Sequence, residues 1–147
     1  MKIYLDACCL GRLTDDQSQP RIREEAEALE RILGLIRGGK VELISSEALL
    51  HEIRRNPSAE RRLECEALIS LATATVEMDR HVLDRAKELE AAGYGAYDAF
   101  HVASAESAGA DALLSTDDRL LKRAARGVGN PRVAVRNPVS WVRDHRL

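Results

Sequence analysis

The chain has 147 residues, of which 45% are hydrophobic and 31% are charged, a composition typical of one soluble globular domain with a substantial core. Aromatic residues make up only 3%, which argues against a platform of aromatic side chains for stacking single-stranded nucleic acid. The net charge of −2 is unevenly distributed, because residues 119–147 hold eight of the 22 basic residues and only one of the 24 acidic ones.

Three features predict the cellular compartment. The three cysteines, at positions 8, 9 and 65, form no C-x-x-C pair and indicate reduced thiols. The N-terminus lacks the pattern of a secretory signal, because Asp6 interrupts its apolar run. No stretch reaches the roughly 20 apolar residues that a membrane helix needs. We therefore expect a cytoplasmic protein without a membrane partner.

Short apolar segments alternate with amphipathic ones along the whole chain. In the amphipathic segments apolar residues recur at three- and four-residue steps, and Pro20, Gly38 and the pair Ser45 and Ser46 are typical of helix ends. In chain order, the pattern predicts a strand at 3–5, a helix at 20–37, a strand at 41–44, helices at 47–55 and 59–72, a short strand within 73–78, helices at 79–92 and 97–108, a strand at 112–115, a helix at 116–126 and a strand at 133–135. This alternation predicts one α/β/α domain, residues 1–147, with a mostly parallel sheet covered on both faces.

Four acidic residues fall where the strands of such a sheet end. Asp6 directly follows the first strand, and Asp117 follows a later strand by two residues. Asp98 lies in the first turn of its helix, and Glu52 lies in the second turn of another, from which its side chain leans back toward the same edge. In open parallel sheets, functional groups collect beyond the carboxyl ends of the strands.

Four neighbouring carboxylates repel one another unless a counter-charge is present. A hard divalent cation with oxygen ligands, Mg²⁺ or Mn²⁺, supplies that charge and suits phosphoryl chemistry. Taken singly, Asp98 and Asp117 are also explained by the helix dipole, and Glu52 by pairing with Arg55. Asp6 is harder to explain without a function, because Asp is disfavoured at the end of a buried strand.

Two other chemistries have weaker support in the sequence. His101 is three residues after Asp98 and can orient that carboxylate, although a packed, hydrogen-bonded histidine without a catalytic role is the commoner outcome. Cys8 and Cys9 lie near Asp6, but no adjacent base is present to activate a thiol nucleophile.

Three segments together carry a family resemblance. They are YLDACCL at 4–10, SSEALLHEI at 45–53 and YDAFHVASAESAGADALLSTDDRLL at 97–121. In their order, the chain resembles the PIN domain, and especially the stand-alone VapC-type toxins of toxin–antitoxin pairs, over essentially its whole length. The resemblance implies a Rossmann-like fold with four or five parallel strands. It also implies a Mg²⁺- or Mn²⁺-dependent ribonuclease that leaves a 5′-phosphate and a 3′-hydroxyl, a cognate antitoxin and a homodimer.

The resemblance also assigns roles to residues. By motif, the family's four acids and the hydroxyl residue two positions before the last acid fall on Asp6, Glu52, Asp98, Asp117 and Ser115. The three aspartates are expected to hold the metal, and the glutamate to bind a second metal or orient water. One departure is Cys8, which stands where many family members have Asn or Ser.

Basic residues are expected to contact the RNA backbone. Arg12, a few positions after the first acid, and Arg123 and Arg126 near the C-terminus are the residues predicted to do so. Arg12 can equally pair with Asp15 or Asp16, and charge alone favours a solvated face for the basic C-terminal end.

Three alternative functions use similar features. A receiver-type phospho-acceptor domain needs a pair of acids after the first strand, and Asp6 has no acidic neighbour. A phosphatase of the haloacid-dehalogenase type needs an acid where Cys8 stands. A PIN fold kept as a non-catalytic RNA-binding or scaffold module predicts an incomplete set of acids, whereas all four are present.

Overall fold

The centre of the molecule is a sheet of five parallel strands in the order β3-β2-β1-β4-β5. The computed structural model describes residues 1–147. The strands are β1 (Lys2–Leu5), β2 (Glu42–Ser46), β3 (Ala74–Val76), β4 (Ala112–Leu114) and β5 (Ala134–Arg136). The helices are α1 (Ala7–Gly11), α2 (Pro20–Arg37), α3 (Glu47–Arg54), α4 (Ala59–Ile69), α5 (Arg80–Ala92), α6 (Ala96–Ser107), α7 (Asp118–Ala125) and α8 (Pro138–Asp144).

The helices cover both faces of the sheet, which confirms the predicted three-layer α/β/α architecture and the mostly parallel sheet of four or five strands. All eleven predicted elements are present, with ends shifted by up to three residues. The strand order 3-2-1-4-5 differs from the 2-1-3-4-5 order of receiver-type domains, so the topology excludes that alternative. No helix is long and apolar enough to cross a membrane.

Two short helices, α1 and α8, were not predicted. The five residues of α1 show no helical periodicity, and the helix begins only because the Asp6 carboxylate caps it by accepting a hydrogen bond from the Cys9 N–H. Helix α8 starts at Pro138 after the side-chain cap Asn137, and tertiary packing holds it, because Trp141 is only 2% exposed.

The position of β1 explains where the site forms. β1 is the middle strand, with Tyr4 opposite Ile44 of β2 on one side and Leu113 of β4 on the other. Its residues 3–5 are completely buried within one cluster of 33 buried hydrophobic residues. The residue that follows β1 therefore emerges at the centre of the carboxyl edge of the sheet.

Glu25 of α2 is the second carboxylate that the fold buries, besides Asp6, and both are 2% exposed. One of its oxygens accepts a hydrogen bond from Arg12 Nε at 2.9 Å, and the other accepts one from Asn137 Nδ2 at 2.6 Å. A buried carboxylate requires such partners. Glu25 therefore ties α2 to the residues that end α1 and begin α8, and it fixes the position of Arg12.

Candidate active site

Asp6 stands at the centre of the carboxyl edge. Its N–H donates to the carbonyl of Leu114 on β4 at 3.2 Å, and its Oδ1 accepts a hydrogen bond from the Cys9 N–H at 2.9 Å. Burial raises the pKa of Asp6, although the Ser115 hydroxyl and then His101 oppose this effect. The first acid is thus fixed in place and costly to ionise without a counter-charge.

Strand β4 supplies the hydroxyl residue and the last acid. Ser115 is completely buried, its Oγ accepts a hydrogen bond from the Asp117 N–H at 3.0 Å, and its hydroxyl lowers the pKa of the Asp6 carboxyl. Asp117 is the N-cap of α7, and its Oδ1 accepts a hydrogen bond from the Arg119 N–H at 2.9 Å. Ser115 therefore connects the first and last of the predicted acids.

Asp98 is the acid most affected by its neighbours. It lies half-buried in the first turn of α6, and its carboxylate makes no hydrogen bond within the protein. Burial, then the negative charges of Asp117 and Asp6, raise the pKa of Asp98 to about 6. A cation bound beside Asp98 would therefore offset the repulsion that this carboxylate experiences from Asp117 and Asp6.

Glu52 is held by a chain of hydrogen bonds that begins in the core. Its Oε1 lies 2.7 Å from His101 Nε2, and His101 Nδ1 lies 2.7 Å from the Tyr4 hydroxyl. The Tyr4 hydroxyl in turn lies 2.6 Å from Ser46 Oγ. Tyr4, Ser46 and His101 are at most 1% exposed. His101 is therefore a packed, hydrogen-bonded histidine, and the carboxylate that it contacts is Glu52 rather than Asp98.

The Cys8 thiol lies where the four acids converge. Desolvation, then the charges of the four carboxylates, raise the pKa of Cys8 to about 12; these acids are Asp6, Asp117, Glu52 and Asp98. In the metal-free protein a thiol this weakly acidic stays protonated at neutral pH, so it is not a thiolate nucleophile. All four predicted acids are thus near enough to Cys8 for their charges to act on its thiol.

Two of the four acids, Glu52 and Asp117, line a cleft of about 860 Å³ together with Cys8, whereas Asp6 and Asp98 are not among its lining residues. Four arginines also line it, namely Arg12, Arg55, Arg61 and Arg119. Arg12 pairs with Asp15 at 2.8 Å, which was the predicted alternative to an RNA contact. Arg61 also contacts Asp15. Arg55 and Arg119 have no carboxylate partner, so they are the cations that remain free for an anionic ligand.

Arg123 and Arg126, which were predicted to contact RNA, do not line the cleft. They follow Arg119 at four- and three-residue steps, so the three lie on one face of α7 and at its C-terminal end. Arg119 at the N-terminal end of this row is the member that reaches the cleft. Arg55, Arg61 and Arg119 were not predicted to line the cleft; Arg55 was expected only as an alternative partner of Glu52, which instead pairs with His101.

The donor set of the site suits a hard divalent cation, because all four groups are carboxylates. No three or more His, Cys, Asp or Glu residues are spaced closely enough to enclose a metal ion directly. Mg²⁺ commonly contacts only one or two carboxylates and keeps several waters, which fits such a spacing. The unpartnered carboxylate of Asp98 and its raised pKa also fit a cation at this position.

A model of the PIN domain matches residues 3–127 of the chain. The chain belongs to the PIN domain family. The matched part of this PIN domain includes all four acids and ends just after α7, and β5 and α8 follow it. No curated protein matches the chain.

Solved structures share the fold of this PIN domain. VapBC2 from Rickettsia felis, crystallised with a DNA fragment from its promoter, has a TM-score of 0.61 at 11% identity, covering 93% of this chain and 98% of that one. PAE2754 from Pyrobaculum aerophilum has a TM-score of 0.58 at 18% identity, with 100% and 91% covered. VapC20 from Mycobacterium tuberculosis, described as a toxin that cleaves the sarcin-ricin loop, has 0.59 at 18% identity, with 88% and 98% covered.

The burial of Asp98, together with the repulsion from its neighbouring acids, predicts that Asp98→Asn stabilises the metal-free protein. Because the folded-state pKa of Asp98 is about 6, above the ordinary value of 3.8, its ionisation lowers stability as pH rises through this range. Above pH 6 the variant should exceed the wild type by about 2 kcal/mol, and the difference should vanish below about pH 4. Urea denaturation in EDTA across this pH range measures it.

Asp118→Asn is the matched control. Asp118 is exposed, and its hydrogen bonds to Arg21 lower its pKa, so its removal should decrease stability at neutral pH. If Asp98→Asn also decreases stability at pH 7.5, burial and the neighbouring acids do not disfavour the ionised Asp98 carboxylate as the structure indicates.

Proposed function

We propose that this PIN domain is a ribonuclease that hydrolyses RNA phosphodiester bonds with the help of Mg²⁺ or Mn²⁺. The observation that carries the proposal is that Asp6, Glu52, Asp98 and Asp117 all lie near enough to Cys8 for their charges to raise the pKa of its thiol, beside a cleft that Glu52 and Asp117 line together with the free Arg55 and Arg119. Membership of the PIN family supports it, and so does the fold shared with VapC20, which is described as cleaving the sarcin-ricin loop. The complete set of acids disfavours a non-catalytic RNA-binding module.

The residues of the chain divide the chemistry among them. Asp6, Asp98 and Asp117 would hold the cation, in part through its bound waters, and the cation would neutralise phosphate charge and make a water more acidic. Glu52, which His101 contacts at 2.7 Å, would orient the attacking water and accept its proton. The water oxygen bonds to phosphorus as the bond from phosphorus to the 3′-oxygen breaks, and that oxygen leaves as a hydroxyl after taking up a proton.

The arginines would position the substrate. Arg55 and Arg119 lack carboxylate partners and line the cleft, so they would contact phosphates on either side of the reacting one. Arg12 also lines the cleft, but Glu25 and Asp15 already neutralise its charge. Its proposed role is therefore to shape the cleft more than to attract RNA.

We further propose that the protein is the toxin of a type II toxin–antitoxin pair and acts as a homodimer in the cytoplasm. The fold shared with VapBC2 of Rickettsia felis, whose structure contains promoter DNA, supports this proposal. A neighbouring gene that encodes a small DNA-binding protein would support it independently.

The first test compares two glutamates of α3. Glu52→Gln should lower RNA cleavage by orders of magnitude at unchanged fold, because the acceptor for the water proton is lost. Glu47→Gln is the matched control, since Glu47 accepts a hydrogen bond from the Met78 N–H at 3.0 Å and serves only the fold. It should cost at most about 1 kcal/mol of stability and leave turnover nearly intact.

Cleavage of a labelled RNA in Mg²⁺ or Mn²⁺ measures both variants, with EDTA as the blank in which wild-type cleavage should cease. Full activity in EDTA would contradict a metal-dependent site. An inactive Glu47→Gln variant beside an active Glu52→Gln variant would reverse the assignment of the two acids.

The second test separates the cleft arginines from those farther along α7. Replacing Arg55 and Arg119 with Gln should weaken RNA binding and reduce the slope of log affinity against log salt by roughly 1 to 1.5, because two phosphate contacts are lost. Replacing Arg123 and Arg126 should have a smaller effect, because neither lines the cleft. Fluorescence anisotropy at several salt concentrations measures both slopes, and a larger effect for the second pair would place the RNA path along α7 instead.

A further inference from the structure

The solvent-exposed aromatic surface of this chain is concentrated in one place. The chain has five aromatic residues other than histidine, and Tyr4, Tyr94 and Trp141 are buried in the core at 0%, 4% and 2% exposure. The remaining two, Tyr97 and Phe100, are both partly exposed on α6. Core packing therefore does not account fully for these two rings.

Tyr97 and Phe100 line the same pocket, which has a volume of about 370 Å³, within the range of small-ligand sites. The pocket lies between α3 and α6, beside the segment that follows β3. Its lining is mainly apolar and consists of His51, Arg55, Met78, Ala96, Tyr97 and Phe100.

The pocket adjoins the acidic cleft. Arg55 and Tyr97 line both spaces. Glu52 directly follows His51 in α3, and Asp98 directly follows Tyr97 in α6, so each helix presents an acid next to a residue that lines the pocket. A group bound in the pocket is therefore close to the carboxylates that would act on a phosphate.

The Tyr97 ring is held in position before any ligand binds. Its hydroxyl lies 2.7 Å from His51 Nδ1 and accepts a hydrogen bond from Arg55 Nη1 at 3.3 Å. The ring is stacked on His101, with 6.3 Å between ring centroids and 19° between the planes. A ring that is already ordered loses little entropy when a flat group stacks on it.

We propose that this pocket binds one unpaired base of the RNA substrate, next to the phosphate at the acids. A nucleotide offers both a flat apolar group for Tyr97 and Phe100 and an anion for Arg55, which has no carboxylate partner, whereas an apolar protein side chain offers only the first. The inference rests on the proposed ribonuclease function. The pocket would stack one base only. This is consistent with the low aromatic content, which argues against an extended stacking platform.

The test uses short single-stranded RNAs, each with one abasic position, and measures their binding by fluorescence anisotropy in EDTA, where the proposed function predicts no cleavage. For the wild type, one abasic position should weaken binding about 5- to 100-fold, the range of one base–aromatic stack. The double variant Tyr97→Leu and Phe100→Leu should bind intact RNA more weakly by a similar factor. Its affinity should also be the same for intact RNA and for the abasic RNA that weakens binding to the wild type.

Tyr97→Phe is the control, because it keeps the ring and loses only the hydroxyl, and it should bind intact RNA within about threefold of the wild type. Melting temperatures verify that each variant is folded. The inference is overturned if the double variant and the wild type bind RNA equally. If the double variant with equal RNA binding also changes from dimer to monomer, the pocket is a site of protein contact instead. RNA cleavage by the wild type, measured separately in Mg²⁺, tests the proposed function itself, so ring-dependent binding without cleavage would refute that function and leave the base pocket standing.

Discussion

The burial of the Asp6 carboxylate at the end of the central strand is the constraint on which the rest of the site depends. A charge placed there is unfavourable unless hydrogen bonds or a counter-charge compensate it. The Cys9 N–H and the Ser115 hydroxyl provide part of that compensation. Repulsion from the other acids further raises the cost of the Asp6 charge. The metal-free fold is therefore under electrostatic strain that a divalent cation would reduce.

The same side chains that stabilise the fold also position the site. Ser46 Oγ caps α3 by accepting a hydrogen bond from the Leu49 N–H, and it also lies within hydrogen-bond distance of the Tyr4 hydroxyl. The helix that carries Glu52 is thus anchored to the network that holds Glu52 through His101. Precise placement of a reacting group requires this kind of rigid support from the core.

The sequence predicted the strands and longer helices because their apolar periodicity is strong, and it predicted the edge at which the acids meet because parallel strands share one carboxyl edge. It did not predict α1, whose only signal is the cap Asp6, or the contact of His101 with Glu52, which depends on how α3 and α6 pack. Apart from Arg12, the cleft arginines were not predicted, for the same reason. The excess of basic residues near the C-terminus predicted RNA contacts there, whereas Arg55 and Arg61, from the middle of the chain, reach the cleft through tertiary packing.

The central claim is that the carboxylates around Cys8 form one divalent-cation site. The most direct test is the pKa of Asp98, measured by NMR of its side-chain carboxyl carbon with and without Mg²⁺. The account predicts a pKa of about 6 in the metal-free protein. It predicts that Mg²⁺ lowers this pKa to below the ordinary aspartate value, because a bound cation favours the ionised form. A pKa of Asp98 that does not change with saturating Mg²⁺ would contradict the claim.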